Sequence, residues 1–343
     1  MESFKKYITG ILFTVILAVV SMLISKLIPY GLISGSVFAL LIGMALNPII
    51  SKYHILEDGL AFTSKKILRL GIILMGATLS FSQVFQVGKF SLIVMVFTLI
   101  TAFGGGYLLG KAFNMNWKLS GLISAGTGIC GGSAVAAIAP VIDAEDSDIA
   151  YAISATFIFD VIMVILFPIM GRYFGMTDLG YGLWTGTAVN DTSSVVAAGY
   201  AFSDAAGNFS VIVKLTRTLS IIPVVLIFSF INERLTRKAK LNNNGNISTH
   251  HEKIDLKKIF PWFILFFLGM VLIKSTGIIS DSMSTSISSI SKFLMVMSLG
   301  AIGLKTNFSK LSKSGFAPMV HGFIISALVV IVSFLVQLSI GQI

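Results

Sequence analysis

Long apolar stretches separated by short polar segments run along nearly the whole chain. A membrane core about 30 Å thick is crossed by about 20 apolar residues of helix, and the sequence supplies about eleven stretches of this length. They lie near residues 8–28, 31–50, 66–82, 90–110, 119–140, 149–171, 182–203, 207–231, 259–275, 287–304 and 315–340. The pattern predicts an all-α polytopic membrane protein with about 10 to 12 transmembrane segments.

Composition and charge agree with a membrane location. Only 12% of the residues are charged, which is about half the share in a soluble domain and excludes a water-soluble fold. The net charge of +10 does not indicate nucleic acid, because 19 of the 25 Lys and Arg residues fall in segments that are cytoplasmic when the amino terminus is inside. We therefore expect a cytoplasmic amino terminus, an external carboxyl terminus and the lipid bilayer as a partner.

We interpret residues 1–343 as a single transmembrane transporter domain, with a polar, cytoplasmic linker loop at residues 232–258. The single cysteine, Cys130, excludes an internal disulfide, and the four His residues lack the spacing of a metal site. No cofactor, metal or catalytic residue is predicted, and we do not expect an enzyme. A homodimer is noted only by analogy with oligomers in general.

An internal repeat is visible at an offset of 60 residues. Gly126-Thr127 matches Gly186-Thr187, and Ser133 matches Ser193. The matches relate residues 121–171 to residues 181–231, and each copy is a Gly/Ser/Thr-rich apolar segment followed by an ordinary helix.

The first copy places four glycines within residues 125–133, in the middle of an apolar span. Such a run predicts a break in the helix. Lipid cannot satisfy the exposed backbone of a break, so it must face protein or a water-filled cavity, as in the binding sites of transporters. In the second copy, Asp191 and the following serines are expected to cap a new half-helix, whose positive end favours an anion. The alternative is close helix packing by small residues.

Four ionisable residues lie well inside predicted spans, where such residues are costly and usually functional. They are Asp160, Asp191, Lys214 and Arg217. Lys214 and Arg217 are three residues apart and share a helix face, although Lys214 has the alternative of reaching the membrane interface. The predicted substrate or ion site consists of these four residues and of Thr127, Gly128, Cys130, Gly131, Gly132, Ser133, Asn190, Thr192, Ser193 and Ser194.

Residues 126–137, 190–199 and 301–308 together resemble the signatures of the proposed sulfate exporter family of bacterial inner-membrane proteins. That family is grouped with cation/proton antiporters and bile-acid sodium symporters. The resemblance implies a bacterial cell-membrane location, inverted repeats, discontinuous crossing helices and alternating access. A His commonly precedes the acidic residue in that family where this chain has Asn190. This departure predicts coupling through Asp191 alone or through another ion.

The membrane path of the two Gly/Ser-rich segments stays open. If each segment crosses the membrane, the two copies run parallel, and if each is a re-entrant hairpin, they are inverted. The crossing path places the acidic group at residues 143–148 outside, and the hairpin path places it inside.

The functional hypothesis is a secondary active transporter of a small anion, of the sulfate or organic sulfonate class, coupled to H⁺ or Na⁺. Asp191 is the expected coupling carboxylate, and Arg217 with Lys214 is expected to supply positive potential for the substrate. One alternative is a Na⁺/H⁺-type cation antiporter in which Asp160 and Asp191 bind the cation. Another is a membrane sensor or enzyme without transport.

Overall fold

The structure, a computed structural model, describes residues 2–27, 35–242, 260–306 and 316–342. These residues form helices and no strand, as the apolar pattern predicts. Six of the described helices are long and apolar enough to cross a membrane, and three shorter apolar helices accompany them. The protein is therefore an all-helical membrane protein, while the number of about eleven crossings stays a prediction.

The first half of the chain forms α1 (Glu2–Leu27), α2 (Gly35–Ile50), α3 (His54–Phe62), α4 (Leu68–Met75), α5 (Phe81–Ile100), α6 (Gly106–Ala112), α7 (Trp117–Ala125), α8 (Gly132–Ile138) and α9 (Asp146–Tyr173). The second half forms α10 (Asp178–Ala188), α11 (Thr192–Phe202), α12 (Asp204–Thr218), α13 (Ile221–Asn242), α14 (Phe263–Ser275), α15 (Asp281–Lys305) and α16 (Phe316–Ser339). Short π-helical turns join α3 to α4 and α5 to α6.

The two Gly/Ser-rich segments fold as helical hairpins. Hairpin A comprises α7, α8 and the turn that follows, residues 117–142. Its two ends meet where the Lys118 Nζ donates a hydrogen bond to the Asp143 carbonyl at 2.7 Å. Hairpin B comprises α10 and α11, residues 178–202. Its ends meet where the Ser203 hydroxyl donates to the Asp178 carboxylate at 2.5 Å.

Hairpin B is also tied together along its length. The Tyr181 ring near the start of α10 stacks on the Phe202 ring at the end of α11, with centroids 4.0 Å apart. The Tyr181 hydroxyl donates to the Ala198 carbonyl at 3.0 Å. A single straight helix could not bring these residues together, since 21 residues of helix extend about 30 Å.

The hairpins approach the centre from opposite ends of α9. This helix of 28 residues is roughly 42 Å long at 1.5 Å per residue. It begins directly after hairpin A, and it ends where Arg172 donates to the Ala201 carbonyl at the base of hairpin B, at 3.3 Å. The two tips therefore meet beside the middle of α9.

A second group of helices, α1 to α4 with α14 and α15, packs beside the hairpins. Its closest crossing joins α2 to α15 at glycines, where a Cβ on Gly303 would lie 2.2 Å from the Leu40 carbonyl oxygen. The Asn47 amide donates to the Leu304 carbonyl at 2.6 Å and so closes the end of α15. The third sequence motif thus lies at a helix crossing, except for its residues 307 and 308, which are outside the described residues.

Part of the predicted linker is helical. Residues 232–242 continue α13 as helix, and residues 243–258 lie outside the described residues. Two contacts explain the extension. Arg237 pairs with Glu233 one turn earlier at 2.5 Å, and the Asn232 amide donates to the Val141 carbonyl of hairpin A at 3.2 Å.

Candidate functional site

The tips of the two hairpins touch at the centre of the molecule. In hairpin A the helix is interrupted by a π-helical turn at residues 126–130 and by Gly131, which has φ of +62°. A Cβ on Gly131 would lie 3.2 Å from the Asp191 Cβ, so the backbone of one tip rests directly against the side chain of the other. The predicted break in the helix is confirmed, and glycine is required there for both reasons.

Asp191 caps α11, as the sequence predicts. Its Oδ2 accepts hydrogen bonds from the Ser193 backbone N–H at 2.8 Å and from the Ser193 hydroxyl. Its Oδ1 accepts no hydrogen bond from the residues that the structure describes, and Asp191 is only partly buried. One carboxylate oxygen is therefore open to a proton or a cation.

Asp160 holds the tip of hairpin B. Its two carboxylate oxygens accept the backbone N–H groups of Asn190 and Asp191 at 2.8 and 2.7 Å. The side chain is fully buried near the middle of α9. Both oxygens of Asp160 thus accept hydrogen bonds from the backbone that carries Asp191, and Asp160 thereby positions Asp191.

Two fully buried cations from α12 join the hairpins. The Lys214 Nζ donates to the carbonyls of Ile129 in hairpin A, at 2.8 Å, and of Val189 in hairpin B, at 3.1 Å, and also to that of Asn190. All three of its hydrogens are used in this way. Lys214 does not reach the membrane interface, so that alternative is wrong.

Arg217 makes the matching set of contacts one turn further along α12. Its Nε donates to the Gly128 carbonyl at 2.6 Å, its Nη1 donates to the Val189 carbonyl at 3.2 Å, and its Nη2 donates to the Thr127 carbonyl. These carbonyls lie at interrupted helix ends, where intrahelical partners are missing. The two cations therefore satisfy the broken backbone that lipid cannot satisfy.

The last helix, α16, completes the junction behind the tips. The Ser326 hydroxyl lies 3.2 Å from the Asn190 side-chain amide and 3.3 Å from the Thr127 hydroxyl. All three side chains are buried, and the Asn190 Oδ1 has no hydrogen-bond partner among the described residues. Ser326 links one hairpin tip to the other.

A cavity of about 980 Å³ extends from the tips toward the base of hairpin A. Its inner end is formed by Asp160, Asp191 and the residues Gly131 to Ser133, and its wall includes Pro140 and Val141 near the hairpin A base. No residue of the base of hairpin B, among those described, lines it. The cavity thus reaches the tips from one side.

The structure divides the predicted site residues into two groups. The cavity is lined by Cys130, Gly131, Gly132, Ser133, Asp160, Asp191, Thr192 and Ser193. The others lie behind the tips, away from the cavity, and they are Thr127, Gly128, Asn190, Ser194, Lys214 and Arg217. The whole predicted set therefore converges on one junction, but only part of it meets the cavity.

Sequence reasoning missed Ser326, Lys65 and Arg69. Lys65 and Arg69 line the cavity from the π-helical turn and α4, where they resemble ordinary cytoplasmic charges. Ser326 had a detectable signal, because α16 repeats buried polar residues at Ser326, Ser333 and Gln337, a spacing that keeps to one helix face.

Comparison with known proteins identifies the family. The family model described as conserved hypothetical protein 698 matches residues 9–338. The chain belongs to this family. It is 80% identical over 341 residues to a UPF0324 membrane protein of Clostridium tetani, with 99% of each chain covered. It is 39% identical over 349 residues to a UPF0324 membrane protein of Streptococcus pneumoniae, again with 99% of each covered. The resemblance to a family of bacterial membrane proteins is confirmed.

Among solved structures, the sodium proton antiporter MjNhaP1 from Methanocaldococcus jannaschii at pH 8 aligns over 98% of both chains. The sequence identity is 15% and the TM-score is 0.30.

Proposed function

We propose that the protein is a secondary active transporter of a small anion, of the sulfate or organic sulfonate class, coupled to H⁺ or Na⁺. One observation carries the proposal. Two interrupted helical hairpins meet tip to tip at the inner end of a one-sided cavity, with the partly open carboxylate of Asp191 at the meeting point. Broken helices at membrane depth are the means by which transporters bind substrates and ions.

The two hairpins are the central parts of an inverted repeat, residues 121–171 and 181–231. Their approach from opposite ends of α9 supports this assignment, together with the 60-residue offset of the sequence motifs. In this topology nine of the eleven predicted apolar stretches cross the membrane, and the other two are the hairpins, which enter it without crossing. The base of hairpin A is cytoplasmic because Lys65, Lys111 and Lys118 lie on that side. Arg172 then lies outside, and Asp143 lies inside.

Asp191 is the coupling residue. Its Oδ1 is open, whereas both oxygens of Asp160 are occupied by backbone N–H groups. A proton or Na⁺ on Asp191 removes a negative charge from the inner end of the cavity, so cation binding favours the binding of an anion in the cavity. Lys214 and Arg217 contribute by holding the tips together and by balancing the two carboxylates, and they do not contact the cavity.

Counterflow in proteoliposomes tests the proposal. Radiolabelled sulfate and simple sulfonates are offered to the wild type and to Asp191→Asn, under imposed H⁺ and Na⁺ gradients. We expect anion exchange in both proteins and gradient-driven accumulation in the wild type alone. Absence of any anion flux in the wild type would refute the proposal.

The alternative is a cation antiporter in which Asp160 and Asp191 bind the transported ion. The full use of the Lys214 hydrogens on backbone carbonyls favours it, because that lysine then serves only as a structural counter-charge. Dissipation of a Na⁺ or H⁺ gradient without any anion, in the wild type and not in Asp191→Asn, would establish this function instead.

A further inference from the structure

The wall of the cavity away from the hairpin tips contains a group of apolar side chains. They belong to Leu68, Ile72, Phe157, Ile221, Phe263 and Ile302, from α4, α9, α13, α14 and α15. Apart from the hairpin tips and Asp160, the hydrophilic side chains among the described lining residues are those of Ser64, Lys65, Arg69, Thr156 and Thr218. A strongly hydrated ion placed against such a wall would lose water without gaining hydrogen bonds, which is costly.

Two cationic side chains lie next to this apolar wall. Lys65 and Arg69 are both exposed and both line the cavity, four residues apart along the helix that carries Leu68 and Ile72. The Arg69 guanidinium lies 5.6 Å from the centre of the Phe263 ring. A positive charge is therefore held against an aromatic surface of the wall itself.

Charged and apolar side chains of the π-helical turn at Thr63–Ile67 and of α4 reach one cavity. They share one helix face because their positions repeat at intervals of four residues. These residues are Ser64, Lys65, Leu68, Arg69 and Ile72. The adjacent Lys66 is exposed and does not line the cavity, so it provides a matched control.

We propose that the transported anion is an amphipathic organic acid, such as an alkyl- or arylsulfonate, and not inorganic sulfate. Its acidic head group binds between Lys65 and Arg69, and its apolar body lies along the wall formed by Leu68, Phe157 and Ile302. The inference rests on the proposed function and specifies its substrate class. Burial of hydrocarbon supplies the affinity, and the two cations select the charge.

A chain-length series tests the substrate class. Sulfate, methanesulfonate, butanesulfonate, octanesulfonate and benzenesulfonate compete against radiolabelled butanesulfonate in counterflow, with protein-free liposomes to correct for partition into lipid. We expect the apparent affinity to rise about twofold to fourfold per added methylene until the wall is covered. Sulfate is expected to compete at least tenfold more weakly than octanesulfonate.

Two sets of variants locate the interaction. Lys65→Gln and Arg69→Gln should each weaken sulfonate binding about twofold to fivefold, and Lys66→Gln should leave it unchanged. Phe157→Ala should reduce the gain per methylene, because Phe157 lines the wall. Phe266→Ala should not, because Phe266 is 63% exposed on the outside of α14 and does not line the cavity.

The outcomes separate this inference from the function on which it rests. Transport of sulfate with no dependence on chain length would overturn the amphipathic substrate and leave anion transport standing. Equal binding by Lys65→Gln, Arg69→Gln and Lys66→Gln would overturn the assignment of the head-group site. Gradient dissipation without flux of any tested anion would overturn the proposed function itself, and the substrate class with it.

Discussion

Replacement of Arg217 by methionine tests how the hairpin tips are held together. Arg217 is fully buried and donates to carbonyls of both hairpins. Methionine keeps much of the volume and removes every donor. The Thr127 and Gly128 carbonyls then lose their contacts with α12, whereas the Val189 carbonyl keeps the bond from Lys214.

The expected loss in the free energy of unfolding follows from these contacts. A buried polar group left without a partner costs about 1–3 kcal/mol, so the two carbonyls together cost about 2–6 kcal/mol. With an unfolding entropy of about 2.1 cal/mol/K per residue, this corresponds to a decrease in melting temperature of about 3–8 °C for a chain of this length. The loss of the buried positive charge that interacts with Asp160 further lowers the free energy of unfolding.

The chain contains its own reporter for the assay. Cys130 is the single cysteine of the sequence and is 2% exposed beside the hairpin junction. A thiol-reactive fluorescent dye will report the temperature at which Cys130 becomes accessible in detergent-purified protein. Arg237→Met is the control, because Arg237 forms only a surface pair with Glu233, and its side chain is 75% exposed. Equal melting temperatures for the two variants would refute the account of how the tips are joined.

Three further substitutions probe the junction and the helix crossing. Gly131→Ala should abolish counterflow, because Gly131 has φ of +62° and the new Cβ would meet the tip of hairpin B. Gly132→Ala should retain counterflow, because the atom nearest to its new Cβ would lie 3.7 Å away. Gly303→Ala should lower the melting temperature measured with the thiol dye, because its Cβ would lie 2.2 Å from a carbonyl oxygen of α2. Gly269→Ala should leave the melting temperature unchanged, because open space surrounds its Cβ position. Asp160→Asn should lower the free energy of unfolding by about 1–3 kcal/mol, and with it the melting temperature, because an amide offers one acceptor to two backbone N–H groups. An unchanged melting temperature would contradict the positioning role of Asp160.

Local features of the site were predictable from the sequence because their causes are local. Four glycines within residues 125–133 disfavour helix wherever they lie, and an aspartate before a helix caps it through its own carboxylate. The four ionisable residues within predicted spans also converge on one junction, as buried charges in a membrane protein must find partners.

The membrane path of the two segments was not predictable in the same way. A broken crossing helix and a hairpin have the same pattern of apolar and small residues. The hairpin fold itself is formed by contacts between residues far apart in the chain, such as the stacking of Tyr181 on Phe202. The role of Lys214 was equally hidden, since its partners are backbone carbonyls, which every residue possesses.

The positions of the cavity-lining cations were also not predictable from the sequence. Lys65 and Arg69 follow the distribution of cytoplasmic charges, which is explained by topology alone. The packing of α4 against α14 and α15 places them on the cavity with Leu68 and Ile72. A residue that follows the topological charge pattern can thus also line the cavity, and the sequence pattern indicates only its topology.

The most direct test of the account is the sidedness of the two hairpins. Single cysteines at Asp143, Ser203 and Ser133, in a Cys130→Ala background, are labelled with a membrane-impermeant maleimide from either side of oriented vesicles. The account predicts that the cysteines at 143 and 203 react from opposite sides, and that the one at 133 reacts through the cavity from the same side as 143. Reaction of 143 and 203 from the same side would show that both segments cross the membrane, and would contradict the inverted hairpins on which the proposed site depends.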